Sequence, residues 1–135
     1  MSEIKQESFE QSIPSIDAVK HVKGESVFTN DIPHTKDCLF AAVGWSEKAH
    51  AMIKSIDLRE VIKDPNVKAI VTANDIPGLN DCGAVYKGDP IFIKEKDVAN
   101  YQGQPLFGVA CTSRKAALKA VRKAKIKYKT LKPIV

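Results

Sequence analysis

Residues 100–111 read NYQGQPLFGVAC. Gly103 and Pro105 flank Gln104 and dictate a turn, and the apolar run 106–111 that follows has the length of a buried strand. A short strand over 97–101 leads into the turn. Thr112 and Ser113 then mark the start of a helix, so the stretch reads as a strand, turn, strand, helix unit at the centre of the domain. What lies before it supplies strands to pair with it, and what lies after it supplies cover.

Working outward, residues 39–46, LFAAVGWS, form the strongest strand of the first half, an apolar run read as buried on both faces. Residues 49–58 alternate, with Ala49, Ala51 and Ile53 on one side and His50, Met52, Lys54 and Ile56 on the other. Two such strands so close in sequence predict an antiparallel pair. Asp57 is placed to cap a short helix over 58–62, and Asp64-Pro65-Asn66 stops it. VKAIVT at 67–72 is rich in β-branched residues and predicts a third strand. Residues 74–89 hold Pro77, Gly78, Asn80, Asp81, Gly83 and Gly88 and predict a long irregular loop, of the kind that often carries function or an interface.

After the central stretch, Ala117, Ala120, Val121 and Ala124 fall at helical spacing, with Lys115, Lys119, Arg122 and Lys123 away from them. Arg114 and Lys115 in the first turn oppose the helix dipole, which Thr112 or Ser113 must offset as a cap. KIKYK at 125–129 turns Ile126 and Tyr128 inward and three lysines outward, the pattern of an edge strand that resists further pairing. Residues 12–22 are mixed, with Pro14 holding the early part extended. Asn30-Asp31-Ile32-Pro33 is a turn signal, and Pro133 ends regular structure. The fold class is α+β: a single domain with a mixed sheet of about six strands and two helices, residues 18–135, behind a flexible tail at 1–17.

The chain of 135 residues suits one domain, and a domain of this size buries roughly two-thirds of its unfolded surface. Apolar content of 44% and charged content of 27% are those of an ordinary globular fold. The formal charge is +5, and nine basic residues crowd into 114–132. That run is read as a solvated face, since its lysines alternate with apolar residues instead of with aromatics that stack on bases. A stand-alone basic module binding nucleic acid is the alternative. Cys38, Cys82 and Cys111 are odd in number and far apart, which points to reduced thiols in a cytoplasmic protein. The start lacks the pattern of a signal peptide, and no apolar run reaches the roughly 20 residues of a membrane helix.

Chemistry is sparse. No phosphate-cradling glycine loop is present. His21, His34 and His50 sit in different elements, and His50 beside an apolar strand reads as a hydrogen-bonded structural residue. Cys111 closes a buried strand and reads as core. Gln104 is the polar residue whose setting looks imposed: its amide satisfies turn backbone, or it contacts a partner.

Several segments together carry a likeness: Val22-Lys23-Gly24-Glu25 with Asp31-Ile32-Pro33, Lys48-Ala49-His50-Ala51 with Ser55-Ile56-Asp57, Leu79-Asn80-Asp81-Cys82-Gly83 with Asp89-Pro90, and Tyr101-Gln102-Gly103-Gln104-Pro105. In this order they resemble the α/β-hammerhead domain of molybdenum hydroxylases, the xanthine dehydrogenase and aldehyde oxidase family. LNDCGAVYKGDPIF is most similar to the molybdenum-binding subunit of bacterial-type xanthine dehydrogenases. The resemblance implies a scaffold piece of an oxidoreductase of purine catabolism, which hydroxylates a purine with water and passes electrons through iron-sulfur clusters to flavin and NAD. It implies molybdopterin, Fe-S clusters and FAD in the parent enzyme, none of them bound by this chain, and no catalytic or metal residue here. The implied partners are the remainder of the molybdenum-binding subunit and the Fe-S/FAD subunit or domains. The interface candidates are Asp31, His50, Asp81, Gly83, Tyr101, Gly103, Gln104 and Pro105.

Overall fold

The computed structural model describes residues 14–132, which divide into two compact units at Lys36/Asp37. Residues 1–13 of the tail expected at 1–17, and the stop at Pro133, lie outside the described residues.

The first unit holds helix α1, Ala18–Lys23, where the sequence reading found a mixed segment and named no helix. None of its side chains is buried. A six-residue helix with no core face leaves no apolar period to detect, and its legible signal is the cap: Gly24, at φ 71°, donates to the His21 carbonyl while Glu25 donates to that of Lys20. Downstream, a single 3-10 turn spans Thr29–Asp31, and the Asp31 carboxylate accepts from the Phe28 amide at 2.9 Å.

The second unit holds the remaining elements: β1, Phe40–Trp45; β2, Ala51–Asp57; α2, Arg59–Ile62; β3, Val67–Thr72; a 3-10 turn, Ala73–Asp75; β4, Val98–Ala99; β5, Pro105–Cys111; α3, Arg114–Val121; and β6, Lys125–Thr130. The expected mixed sheet is two antiparallel sheets of three strands, ordered β1-β5-β3 and β4-β2-β6. The reason is the path of α3. It carries the chain from β5 in the first sheet to β6 in the second, so the crossover creates no parallel neighbour.

β5 is the middle strand of its sheet. Phe107, Val109 and Cys111 are buried on one face and Leu106 on the other. α3 lies on β1 and β5, and its Ala117 and Ala120 are small enough to let the helix approach closely. Ile53, Val61, Ile93 and Ala99 complete the same cluster, in which a fully buried aliphatic side chain contributes about 1.5–3 kcal/mol. Ser113 is the cap: its Oγ accepts from the Ala116 amide at 3.2 Å.

Two expectations about the first half are corrected. β1 and β2 do not pair with each other, because Ser46 just past β1 is already committed: its amide donates to the Gln104 carbonyl and its carbonyl accepts from Gly103. β1 is not buried on both faces either. It lies at a sheet edge, and Trp45 is 52% exposed. Along β2 the simple alternation breaks at a register shift between Ile53 and Ser55. The extra residue brings Ile56 against the core with Ile53. The Ile56 amide donates to the Glu95 carboxylate at 2.7 Å. β6 follows expectation, with Ile126 and Tyr128 packed on the core and Lys125, Lys127 and Lys129 exposed.

Asp64 joins α2, β3 and the end of α3. One carboxylate oxygen accepts from the Asn66 backbone and side chain at 3.0 Å each, and the other from the Lys123 ammonium at 2.7 Å. These partners, the Lys123 bond foremost, hold its carboxyl at about 2, below the usual 3.8. A lowered folded value means the stabilisation is present above about pH 4 and is lost as pH falls toward 2. Asp64→Asn is therefore expected to flatten the decline of thermal midpoint between pH 4 and 2 while leaving the neutral-pH curve parallel to wild type. An unchanged acid limb would remove Asp64 from that account.

Candidate functional site

The turn between β4 and β5 is where the two sheets meet, and Gln104 is its centre. Gln104 is 2% exposed. Its carbonyl accepts from Ser46 at 2.8 Å, and its side-chain Oε1 accepts from the Asn100 amide at 2.8 Å. The neighbouring Pro105 carbonyl accepts from Ile93 at 2.9 Å. One short segment is thus tied to β1, to the start of its own turn and to the chain arriving from the long loop. Gly103 makes the geometry possible: its φ is +90°, in the left-handed region that side-chain-bearing residues resist. A Cβ there would meet open space. The cost of substitution is backbone strain, which falls on folding as well as on any docking. Tyr101, half-exposed, stands at the outer end of the same turn.

Asp81 and Gly83 organise the long loop. The Asp81 carboxylate accepts from the amides of Gly83 at 2.8 Å, Gly88 at 2.8 Å and Asp89 at 3.3 Å, and these backbone donors hold its carboxyl below the usual range. Gly83 is required by space, since a Cβ would strike the Tyr86 carbonyl oxygen. The loop closed in this way leaves Leu79, Val85 and Tyr86 exposed, Tyr86 at 86%. Asn80 was missed as a candidate. Its amide group bonds the Phe92 backbone twice, donating to the carbonyl at 2.7 Å and accepting from the amide at 3.1 Å, and so stands in for a strand neighbour. Its signal was present beside Asp81 in the LNDCG run. Asp81→Ala is expected to raise amide exchange at Gly83, Gly88 and Asp89 by about tenfold or more while the β5 amides keep their protection. Unchanged exchange at those three positions would show that the loop closes without the carboxylate.

The other candidates lie apart. His50 precedes β2 and its Nδ1 is 2.7 Å from the Lys132 carbonyl, pinning the chain end beyond β6. Asp31 belongs to the first unit. Burial pushes the Cys111 thiol up, away from the thiolate a nucleophile needs. The Cys82 thiol, which donates toward Asp89, is also pushed up, first by burial and then by that carboxylate. Among the described residues no three His, Cys, Asp or Glu side chains gather as a metal-ligating group, and no helix is long and apolar enough to cross a membrane. Of the nine cations of 114–132, three lie on α3, three on β6 and three just past the ends of these elements, and Tyr128 is packed on the core, so no aromatic of that run is presented for stacking on bases.

This combination of a Gln104-centred turn, an Asp81-closed loop and an α3 crossover between two sheets has close counterparts. The family profile described as "Aldehyde oxidase and xanthine dehydrogenase, a/b hammerhead domain" matches residues 23–132. The chain belongs to this hammerhead family. A xanthine dehydrogenase of Dictyostelium discoideum is 36% identical over 124 residues, 92% of this chain and 9% of that protein. Aldehyde oxidase 2 of Mus musculus is 37% identical over 123 residues, 91% of this chain and again 9% of the relative. The crystal structure of the aldehyde oxidoreductase from Desulfovibrio desulfuricans ATCC 27774 superposes with a TM-score of 0.75 and 30% identity, over 90% of this chain and 14% of that one. The hammerhead chain spans about a tenth of the length of the curated relatives it matches.

Proposed function

We propose that this hammerhead chain is the scaffold and docking segment of a molybdenum hydroxylase of the xanthine dehydrogenase type, working in the cytoplasm on a purine. The observation that carries the reading is the placement of the family's motifs. Asn80, Asp81, Gly83, Gly103 and Gln104 all fix backbone, and none is combined with a base, nucleophile or metal-ligating partner. Such residues shape a surface that other parts of an enzyme meet.

Molybdopterin in the parent enzyme supplies the oxygen-transfer chemistry, and the residues here do not fit as its holder. The one buried side-chain amide among the described residues, Gln104, already spends its Oε1 on Asn100. Within this reading the chain contributes surface and rigidity, Fe-S clusters and FAD belong to the partner subunit or domains, and xanthine is favoured over an aldehyde by the 79–92 loop sequence.

The test is purification from source cells with intact mass, molybdenum and iron measured together. The expected result is a larger molybdenum-bearing polypeptide, covalently continuous or associated, that oxidises xanthine faster than an aldehyde. A metal-free chain that elutes alone and itself hydroxylates a purine would overturn the division of labour. Faster turnover of the aldehyde would keep the family and exchange the substrate.

A further inference from the structure

The outer edge of β1 borders an open groove of about 610 Å³ whose far wall is α3. Trp45, Val43, Leu118 and Val121 line it, and the Gln102-Gly103 turn closes one end. Trp45 and Leu118 are each about half-exposed, at 52% and 51%, although both are large and apolar. A strand edge beside a helix, with apolar side chains facing the gap, is the geometry that receives an added strand: backbone groups of the edge give affinity, and the groove reads alternate side chains.

Charge says what kind of strand. Arg122 lines the α3 side of the groove, and the adjoining hollow on α3, which shares Leu118 and Arg122 with it, is lined by Arg114, Lys115 and Lys119; all four cations are exposed, and none forms an ion pair among the described residues. No Asp or Glu occurs anywhere from Thr112 to Val135. Glu47, at the Ser46 end, is the one acid in the lining.

We propose that this groove docks an extended acidic polypeptide segment, apolar residues alternating with carboxylates, that adds as a strand to the edge of β1. The proposal rests on the reading of the chain as a docking segment and identifies the partner's chemistry at one face. The carboxylates meet the α3 cations, and the apolar residues fill the gap between Trp45 and Leu118.

Trp45 is the chain's one tryptophan, so its fluorescence reports occupancy directly. The probes are two capped peptides of about six residues, a common strand length, one alternating Val with Glu and one alternating Val with Lys. The full chain should show a saturable blue shift with the Glu peptide and none with the Lys peptide. Leu118→Asp, at an exposed helix position, should lower affinity about tenfold or more, equivalent to about 1.4 kcal/mol, with unchanged circular dichroism. Raising salt from about 0.05 to 0.5 M should weaken binding as screening shortens. Tyr86→Ser, on the distant-in-sequence loop, should bind as wild type. No shift with either peptide, equal shifts with both, or binding indifferent to Leu118→Asp would overturn the proposal, as would a dimer that buries Trp45 without peptide. None of these results touches the parent-enzyme reading, which stands or falls on metal content and copurification.

Discussion

Phe107→Ala is expected to lower unfolding stability by about 3–5 kcal/mol, the usual cost of emptying a buried aromatic site. Phe107 is completely buried in the middle strand of the first sheet. It packs in one cluster with Val109, Cys111 and the alanines of α3. Since a domain has only about 5–15 kcal/mol in hand, this one change removes between about a fifth and the whole of it. The partner of Phe107 across the strand pair is Gly44, and a Cβ on Gly44 would enter the Phe107 ring. Gly44→Ala alone should therefore cost about 1–3 kcal/mol by overpacking. In the Phe107→Ala background the same methyl meets vacated space, so the two changes should couple favourably by about 0.5–3 kcal/mol. Urea unfolding of the four proteins measures all three quantities. Additive losses would mean that the ring moves aside and that Gly44 is not fixed by Phe107.

That pair shows what the sequence made legible. LFGVAC at 106–111 was recognisable as a buried strand because its apolar run was bounded by turn and cap signals, and Ala117, Ala120, Val121 and Ala124 after it were recognisable as a helix face because they kept a helical period. Those signals are local. Gly44 inside LFAAVGWS carried no such mark, since its reason is a ring sixty-odd residues away in the chain.

Sheet membership was illegible for the same reason. Nothing within 39–58 says that Ser46 bonds Gln104 and Gly103 and so keeps β1 away from β2. The residue types around the site were visible early: Asp81, Gly83, Gly103 and Gln104 stood out as turn chemistry. What they do required partners. Asp81 proved to serve three amides, and Asn80 beside it two groups on Phe92. The groove beside β1 was hidden by a correct rule applied one step too far: a continuous apolar run does indicate burial, but an edge strand has one side without a strand partner in its sheet, and its last aromatic, Trp45, stays half-exposed among the described residues.

Gln104→Leu should destabilise by about 1–3 kcal/mol, because it keeps the volume near the original while taking the acceptor from the Asn100 amide. The loss should be local first, with faster exchange at Asn100 and Gly103 than in β5. Gln104→Glu separates the hydrogen bond from its environment. A glutamate offers the same acceptor, but at a position 2% exposed its charge is poorly solvated. Desolvation raises the folded pKa above the unfolded value, so the variant should be weakest at neutral pH and recover toward wild type as pH falls and the carboxyl becomes neutral. A Glu variant as stable as wild type at pH 7, with no gain on acidification, would show that water reaches the side chain and that the turn is held by its backbone bonds alone. The consequence reaches the proposed interface, because Gln102 and Gly103 form the end of the groove beside Trp45. A loosened turn should therefore cost acidic-peptide affinity in Gln104→Leu even under conditions where the domain remains folded.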